Sequence, residues 1–168
     1  MDYVIDDMSA GDWEQVRSIY LEGIATGVAT FETDAPAWEK WDAGHLRKAR
    51  LVARDVGAAG VILGWAALSP VSDRCVYGGV AEVSVYVGER GRGRGVGHAL
   101  LDALVEASER NGIWTLQAGV FPENVASVKL HLRCGFREVG RRERIGKLNG
   151  VWRDTLLLER RSPNVGTS

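Results

Sequence analysis

Cysteine is scarce: Cys75 and Cys134 are the only two in 168 residues, they lie far apart, and neither belongs to a CxxC pair. That excludes a disulfide-stapled scaffold and the common zinc modules. The three histidines, His45, His98 and His131, have no ligand spacing to the cysteines, so no metal is expected. Long apolar runs are missing too. None approaches the roughly 18 residues of a membrane span, and the first eight residues carry acids where a secretory leader needs bases. Together these features predict a cytoplasmic protein with no membrane partner. Neither sign of charge dominates, with 21 Lys and Arg against 22 Asp and Glu. A nucleic-acid partner is therefore not expected, although Arg90, Arg92 and Arg94 alternate with glycines and leave room for a local anionic ligand.

A hydrophobic share of 45% beside 26% charged residues is an ordinary globular balance, and the length suits one domain. We take residues 1–161 as that domain and 162–168 as a flexible tail. Tyr3 to Asp6 alternates like a short strand, and Ser9 with Asp12 makes an acidic version of a helix-starting box. Trp13, Val16, Ile19, Tyr20 and Ile24 then recur at helical spacing until Gly27. After the polar stretch Thr30 to Asp34, Pro36 suits the first turn of a second helix that holds Trp38, Trp41 and Leu46 and runs to about Lys48. Leu51–Arg54 and Val61–Leu68 read as a hairpin, Ser69–Gly79 as a loop, and Ala81–Val87 as the strongest strand in the chain. A helix from about Gly95 carries Leu100, Leu101, Leu104 and Val105 and stops before Gly112. Trp114–Phe121 is a strand, and Asn124 caps a shorter helix through Cys134. Phe136–Ile145 and Val151–Glu159 pair around Asn149-Gly150. Hairpins mixed with crossovers predict an α+β fold, a mixed sheet with helices on its faces.

Five of the ten residues from Gly88 to Gly97 are glycine, and the segment joins the strongest strand directly to a helix. Gly93, Gly95 and Gly97 remove side chains that would hold backbone N–H groups away from an anion, and the helix start adds partial positive charge. A phosphate or diphosphate fits such a place; close packing of helix on strand would also call for these glycines. The GxxxxGK[ST] pattern of a nucleotide loop and the GxGxxG dinucleotide pattern are both absent. What remains is Arg92-x-x-Gly95-x-Gly97.

That motif resembles the acyl-CoA motif of the GNAT superfamily of N-acetyltransferases, and the resemblance extends over nearly the whole chain. More narrowly, the TFET stretch Thr30–Thr33, Arg74 with Tyr77, Glu82 before VSVYV, and His131 near Cys134-Gly135-Phe136 resemble the phosphinothricin and methionine sulfoximine acetyltransferase group. The resemblance implies the GNAT fold, with a central, mostly antiparallel mixed sheet flanked by helices, and acetyl-CoA as cosubstrate. It assigns main-chain groups of Val85, Tyr86 and Val87 to the acetyl-pantetheine arm. The segment Arg92, Gly93, Arg94, Gly95, Val96, Gly97 and His98 would wrap the diphosphate, and Asn124 would bind the cofactor arm or serve only as a helix cap. Glu82 would be the general base for a primary amine, because an ammonium must lose a proton before it attacks a thioester. The N–H of Val87 or a neighbour would hold the oxyanion. Where many superfamily members carry a Tyr that protonates sulfur, this chain has His131, which could donate to sulfur, assist Glu82 or pack; Tyr86 is a weaker candidate. Phe31 and Glu32 would line the amine pocket, Arg74 and Tyr77 an anionic part of the substrate. Lys147 and Trp152, on the last hairpin, imply a homodimer. The expected substrate is an amino acid or analogue such as phosphinothricin, methionine sulfoximine or methionine sulfone, which leaves open whether resistance to such compounds is the selected role. Acetylation of protein amines, or a CoA-responsive binding protein without turnover, are the alternatives.

Overall fold

The computed structural model describes residues 2–168, and its architecture follows from how each strand alternates its side chains. Strands β1 (Tyr3–Asp7), β2 (Leu51–Asp55), β3 (Ile62–Pro70), β4 (Val80–Val87), β5 (Thr115–Val120), β6 (Arg137–Leu148) and β7 (Val151–Arg161) form one sheet in the order β1-β2-β3-β4-β5-β7-β6. Every neighbouring pair is antiparallel except β4 and β5, which run parallel because helix α3 (Val96–Arg110) crosses between them. Helices α1 (Trp13–Ala25), α2 (Trp38–Gly44) and α4 (Val125–Arg133) complete the α+β fold expected from the sequence.

Two cores lie against the sheet. Leu51 and Ala53 of β2 belong to the core that holds Leu100, Leu101 and Leu104 of α3, whereas Val52 between them belongs to the aromatic core of Val16, Ile19, Trp41 and Trp65. Alternation is broken once on β3. Ala53 pairs with Gly64 and Arg54 with Ile62, so Leu63 is the extra residue of a bulge and joins the α3 core out of turn.

The start of α1 is fixed as the sequence suggests. The Asp12 carboxylate accepts the Ser9 N–H at 2.8 Å and takes the Arg54 guanidinium at 2.7 and 2.9 Å, which holds its pKa below the usual carboxylate value. Helix α2 is shorter than expected. Pro36 precedes it, Ala37 is extended, and the helix ends at Gly44 instead of near Lys48. The reason is competition for the backbone: His45 is extended, and Leu46 N–H donates to Leu68 of β3 at 2.8 Å. Arg50 then closes the exposed helix end, donating to the carbonyls of Leu46, Asp42 and His45 at 2.7, 3.0 and 3.1 Å.

The segment read as a tail makes specific contacts. Ser162 is buried and donates to Glu109 at 2.8 Å, Asn164 bonds the same carboxylate at 3.2 Å, and Arg161 donates to Val165 O at 2.8 Å. No helix among the described residues is long and apolar enough to cross a membrane.

Candidate active site

The parallel pairing of β4 with β5 stops at Glu82 opposite Gln117, while β5 continues against β7 as far as Val120 and β4 continues against β3 to Val87. The sheet therefore opens into a cleft between the two strands. Which main-chain groups of β4 face it follows from one bond: Gly88 N–H donates to Leu63 O, on the β3 side. Because ladder groups alternate from side to side, Tyr86, Ser84 and Glu82 also turn to β3, and Val85 and Val87, with the carbonyl of Val83, turn to the opening. The three residues singled out from sequence thus divide. Val85 and Val87 offer main-chain groups with no ladder partner among the described residues, whereas Tyr86 spends its own on Trp65 and contributes only its ring, stacked on Trp65 at 4.9 Å. Val83 was not anticipated; its part depends on register, which a sequence does not print.

At the outer end of β4 the glycine segment turns into α3. Gly93 and Gly95 have φ of 73° and 76°, a conformation that side chains resist. From Gly93 to His98 no backbone N–H finds a protein acceptor among the described residues; the first helical bond is Ala99 to Gly95 O, at 3.1 Å. Six donors so placed at a helix start are able to hold an anion. Side chains here do something else. Arg94 pairs with Asp2 at 2.7 Å and Asp55 at 3.1 Å, pinning the loop to the sheet edge, and His98 pairs with Asp102. Arg92 bonds Glu89 O through its N–H and lines the cleft. A Cβ on Gly97 would lie 3.3 Å from Leu130 and 3.4 Å from Val87, so this glycine also lets α3 close on α4 and β4. Asn124 accepts the Ser127 N–H at 3.2 Å as a helix cap while lining the cleft.

The cleft has a volume of about 860 Å³, and Glu82, His131, Phe31, Glu32 and Arg142 are among its walls. Glu82 is exposed to solvent from the cleft mouth, while the protein packed around its carboxyl raises the carboxyl pKa; Gln117 and Arg142 oppose the rise. His131 is buried at 5% exposure, and its Nδ1 lies 2.7 Å from the Ser127 carbonyl. A carbonyl only accepts, so Nδ1 carries the proton and Nε2 is left with a lone pair and no partner among the described residues. Burial lowers the pKa of His131 despite that bond, so its neutral form prevails near pH 7. A neutral imidazole in this tautomer takes a proton first and gives it back later. Tyr86 is held well above the ordinary phenol value by burial and by Tyr20, and stays protonated.

Phe31 packs edge-on against Phe121 at 4.8 Å. Arg74 and Tyr77 stack on one another at 5.6 Å on an exposed turn and do not line the cleft. Arg142 does, and it was missed because β6 reads as a run of ordinary surface charges. Its neighbours are paired, Arg141 with Asp154 at 2.7 Å and Arg153 with Glu123 at 3.4 Å, whereas Arg142 has no ion pair among the described residues.

Residues 13–136 match the model of the acetyltransferase (GNAT) family. An L-methionine sulfoximine/L-methionine sulfone acetyltransferase of Pseudomonas aeruginosa is 31% identical over 160 residues, 92% of each chain. A phosphinothricin N-acetyltransferase of Alcaligenes faecalis is 33% identical over 158 residues, 89% of this chain and 77% of that one. The crystal structure of a phosphinothricin acetyltransferase from Sinorhizobium meliloti in complex with acetyl-CoA superposes with a TM-score of 0.87 at 28% identity, covering 100% of this chain and 92% of that one.

The raised carboxyl of Glu82 has a stability consequence. Its folded pKa exceeds the unfolded one, so the fold favours the protonated form; that contribution is present below the ordinary Glu pKa and lost as pH rises through the raised value. Gln at this position stays neutral and of similar shape. Glu82→Gln therefore raises the denaturant midpoint at pH 8, with the gain fading towards pH 4; a gain independent of pH contradicts the desolvation account.

Proposed function

The chain belongs to the acetyltransferase (GNAT) family, and on that premise we propose that it moves the acetyl group of acetyl-CoA onto the primary amine of a small amino acid or amino-acid analogue, of phosphinothricin, methionine sulfoximine or methionine sulfone type. The observation that carries this reading is the cleft between β4 and β5, with the Glu82 carboxylate at its apex and main-chain groups without a partner among the described residues along one wall. The names of the relatives support the substrate class.

Acetyl-CoA lies along β4 in this reading, its diphosphate on the N–H groups of Gly93 to His98 and its pantetheine arm on Val85 and Val87, with Asn124 on the far side. No metal enters the reaction. Glu82 takes a proton from the substrate ammonium, directly or through one water, and the freed lone pair attacks the thioester carbon. The oxyanion of the tetrahedral intermediate accepts a hydrogen bond from Val87 N–H. Collapse breaks the C–S bond, and the CoA sulfur takes a proton. His131 serves as the relay: Nε2 accepts a proton as the amine is acylated and delivers it to sulfur, while the Ser127 carbonyl fixes the tautomer. The products are the acetamide, free CoA and one proton.

Phe31 walls the amine pocket, Glu32 stands at its mouth, and Arg142 pairs with the acid group of the substrate, a guanidinium fork against a carboxylate or phosphinate. The hairpin of β6 and β7 exposes Val139, Ile145, Val151 and Trp152, with Lys147 over the Trp152 ring at 4.8 Å. We read it as the docking face of a homodimer working in the cytoplasm.

The test is CoA thiol release from acetyl-CoA with a panel of amino-acid analogues beside peptides, products identified by mass spectrometry. The expected result is turnover with amino-acid analogues and loss of most of it in Glu82→Gln, which still binds acetyl-CoA. Peptide turnover alone moves the assignment to protein amines; binding without turnover makes the chain a CoA-responsive binder. Unchanged turnover in Glu82→Gln removes that base. Arg142→Ala raises KM for amino-acid substrates by about tenfold or more, the size of one lost charge-assisted contact, with the KM for acetyl-CoA unmoved. An amine lacking the acid group shows no such change, and equal amino-acid KM in both proteins contradicts the role of Arg142.

A further inference from the structure

Apart from the cleft, the fold assembles a second group of chemically competent side chains. His98 and Asp102 stand one turn apart on α3, with His98 Nδ1 3.2 Å from Asp102 Oδ2. Cys134 ends α4 where that helix packs on α3. The donor atoms of the three all lie within 4.8 Å of one another. None of the three lines the cleft.

We propose that His98, Asp102 and Cys134 form a Zn²⁺ site. The donor set is one that zinc takes: an imidazole nitrogen, a thiolate sulfur and a carboxylate oxygen, at about 2.0–2.3 Å from the metal. Ligands at those distances in a tetrahedron stand roughly 3–4 Å apart, so the present separations close with small side-chain rotations. Charge is also matched, because one carboxylate and one thiolate neutralise a dication and the imidazole adds none. Three protein ligands leave the fourth position to water. The side chains of His98 and Asp102 are 48% and 53% exposed, which provides the entry path, while Cys134 is 8% exposed and forms the floor.

The Cys134 Sγ and the Asp102 carboxylate lie within reach of one metal ion. On binding, the S–H bond breaks, a Zn–S bond forms and the proton passes to the buffer, with no change of oxidation state. Sequence spacing gave no hint of this site, because residues 98, 102 and 134 come from two helices that meet only in the fold.

Co²⁺ titration of the full chain tests the proposal, followed by Zn²⁺ competition against a chromophoric chelator. One equivalent of Co²⁺ gives a thiolate-to-metal charge-transfer band and tetrahedral visible bands, both bleached by Zn²⁺. Cys134→Ser abolishes the charge-transfer band, His98→Ala weakens binding by about tenfold or more, and Cys75→Ser changes neither. Should Cys134→Ser not fold, His98→Ala and Asp102→Asn on the exposed side decide. Absence of the charge-transfer band in the unaltered chain, its survival in Cys134→Ser, or full affinity in His98→Ala overturns the site.

Discussion

The structure depends on a hydrogen-bond ladder that ends early. β4 and β5 share a register only as far as Glu82 and Gln117, and beyond it each strand follows a different partner. A parallel pair that continued would satisfy Val85 and Val87 internally and leave no cleft. Main-chain groups left unpaired in a folded protein carry a cost unless water or a ligand satisfies them. The opening is held because the strands on both sides are anchored elsewhere, β4 by its antiparallel ladder with β3 and β5 by its ladder with β7. Two packed cores and the α3 crossover then fix the angle between them.

Around that opening, charge is arranged against the preference of water. Glu82 is pushed towards its protonated form and His131 towards its neutral form, both chiefly by loss of solvent. The shift brings proton exchange at Glu82 closer to neutral pH, while at His131 it favours the neutral form that can accept a proton. The proposed anion cradle follows the same logic with main-chain dipoles in place of side chains. Arg94, which looks like a phosphate ligand in the sequence, instead holds the loop through Asp2 and Asp55, so that the N–H groups from Gly93 to His98 present one fixed geometry.

Much of this was legible from residue order alone. A run of β-branched and aromatic residues located β4, helical spacing located α1 and α3, and Asn149-Gly150 marked the last hairpin, with φ of 49° and 80°. The glycines at 93 and 95 mark the segment that joins β4 to α3, where both take a positive φ. What stayed hidden depended on partners distant in sequence. Helix α2 ends early because β3 competes for Leu46. Tyr86 loses its main chain to Trp65 through register, and Arg142 enters the cleft through a strand that looks like plain surface. The Ser127 carbonyl that sets the tautomer of His131 is a backbone group and leaves no mark in a sequence motif.

The central claim is that the unpaired wall of β4 and the turn into α3 hold a diphosphate-bearing thioester through main-chain groups. Isothermal titration calorimetry with CoA, comparing the unaltered chain with Gly95→Glu, addresses it most directly. The account predicts saturable binding of one CoA per chain, and a marked loss of affinity where a carboxylate is set into the cradle. No detectable association with CoA, or equal affinity in both proteins, would contradict it.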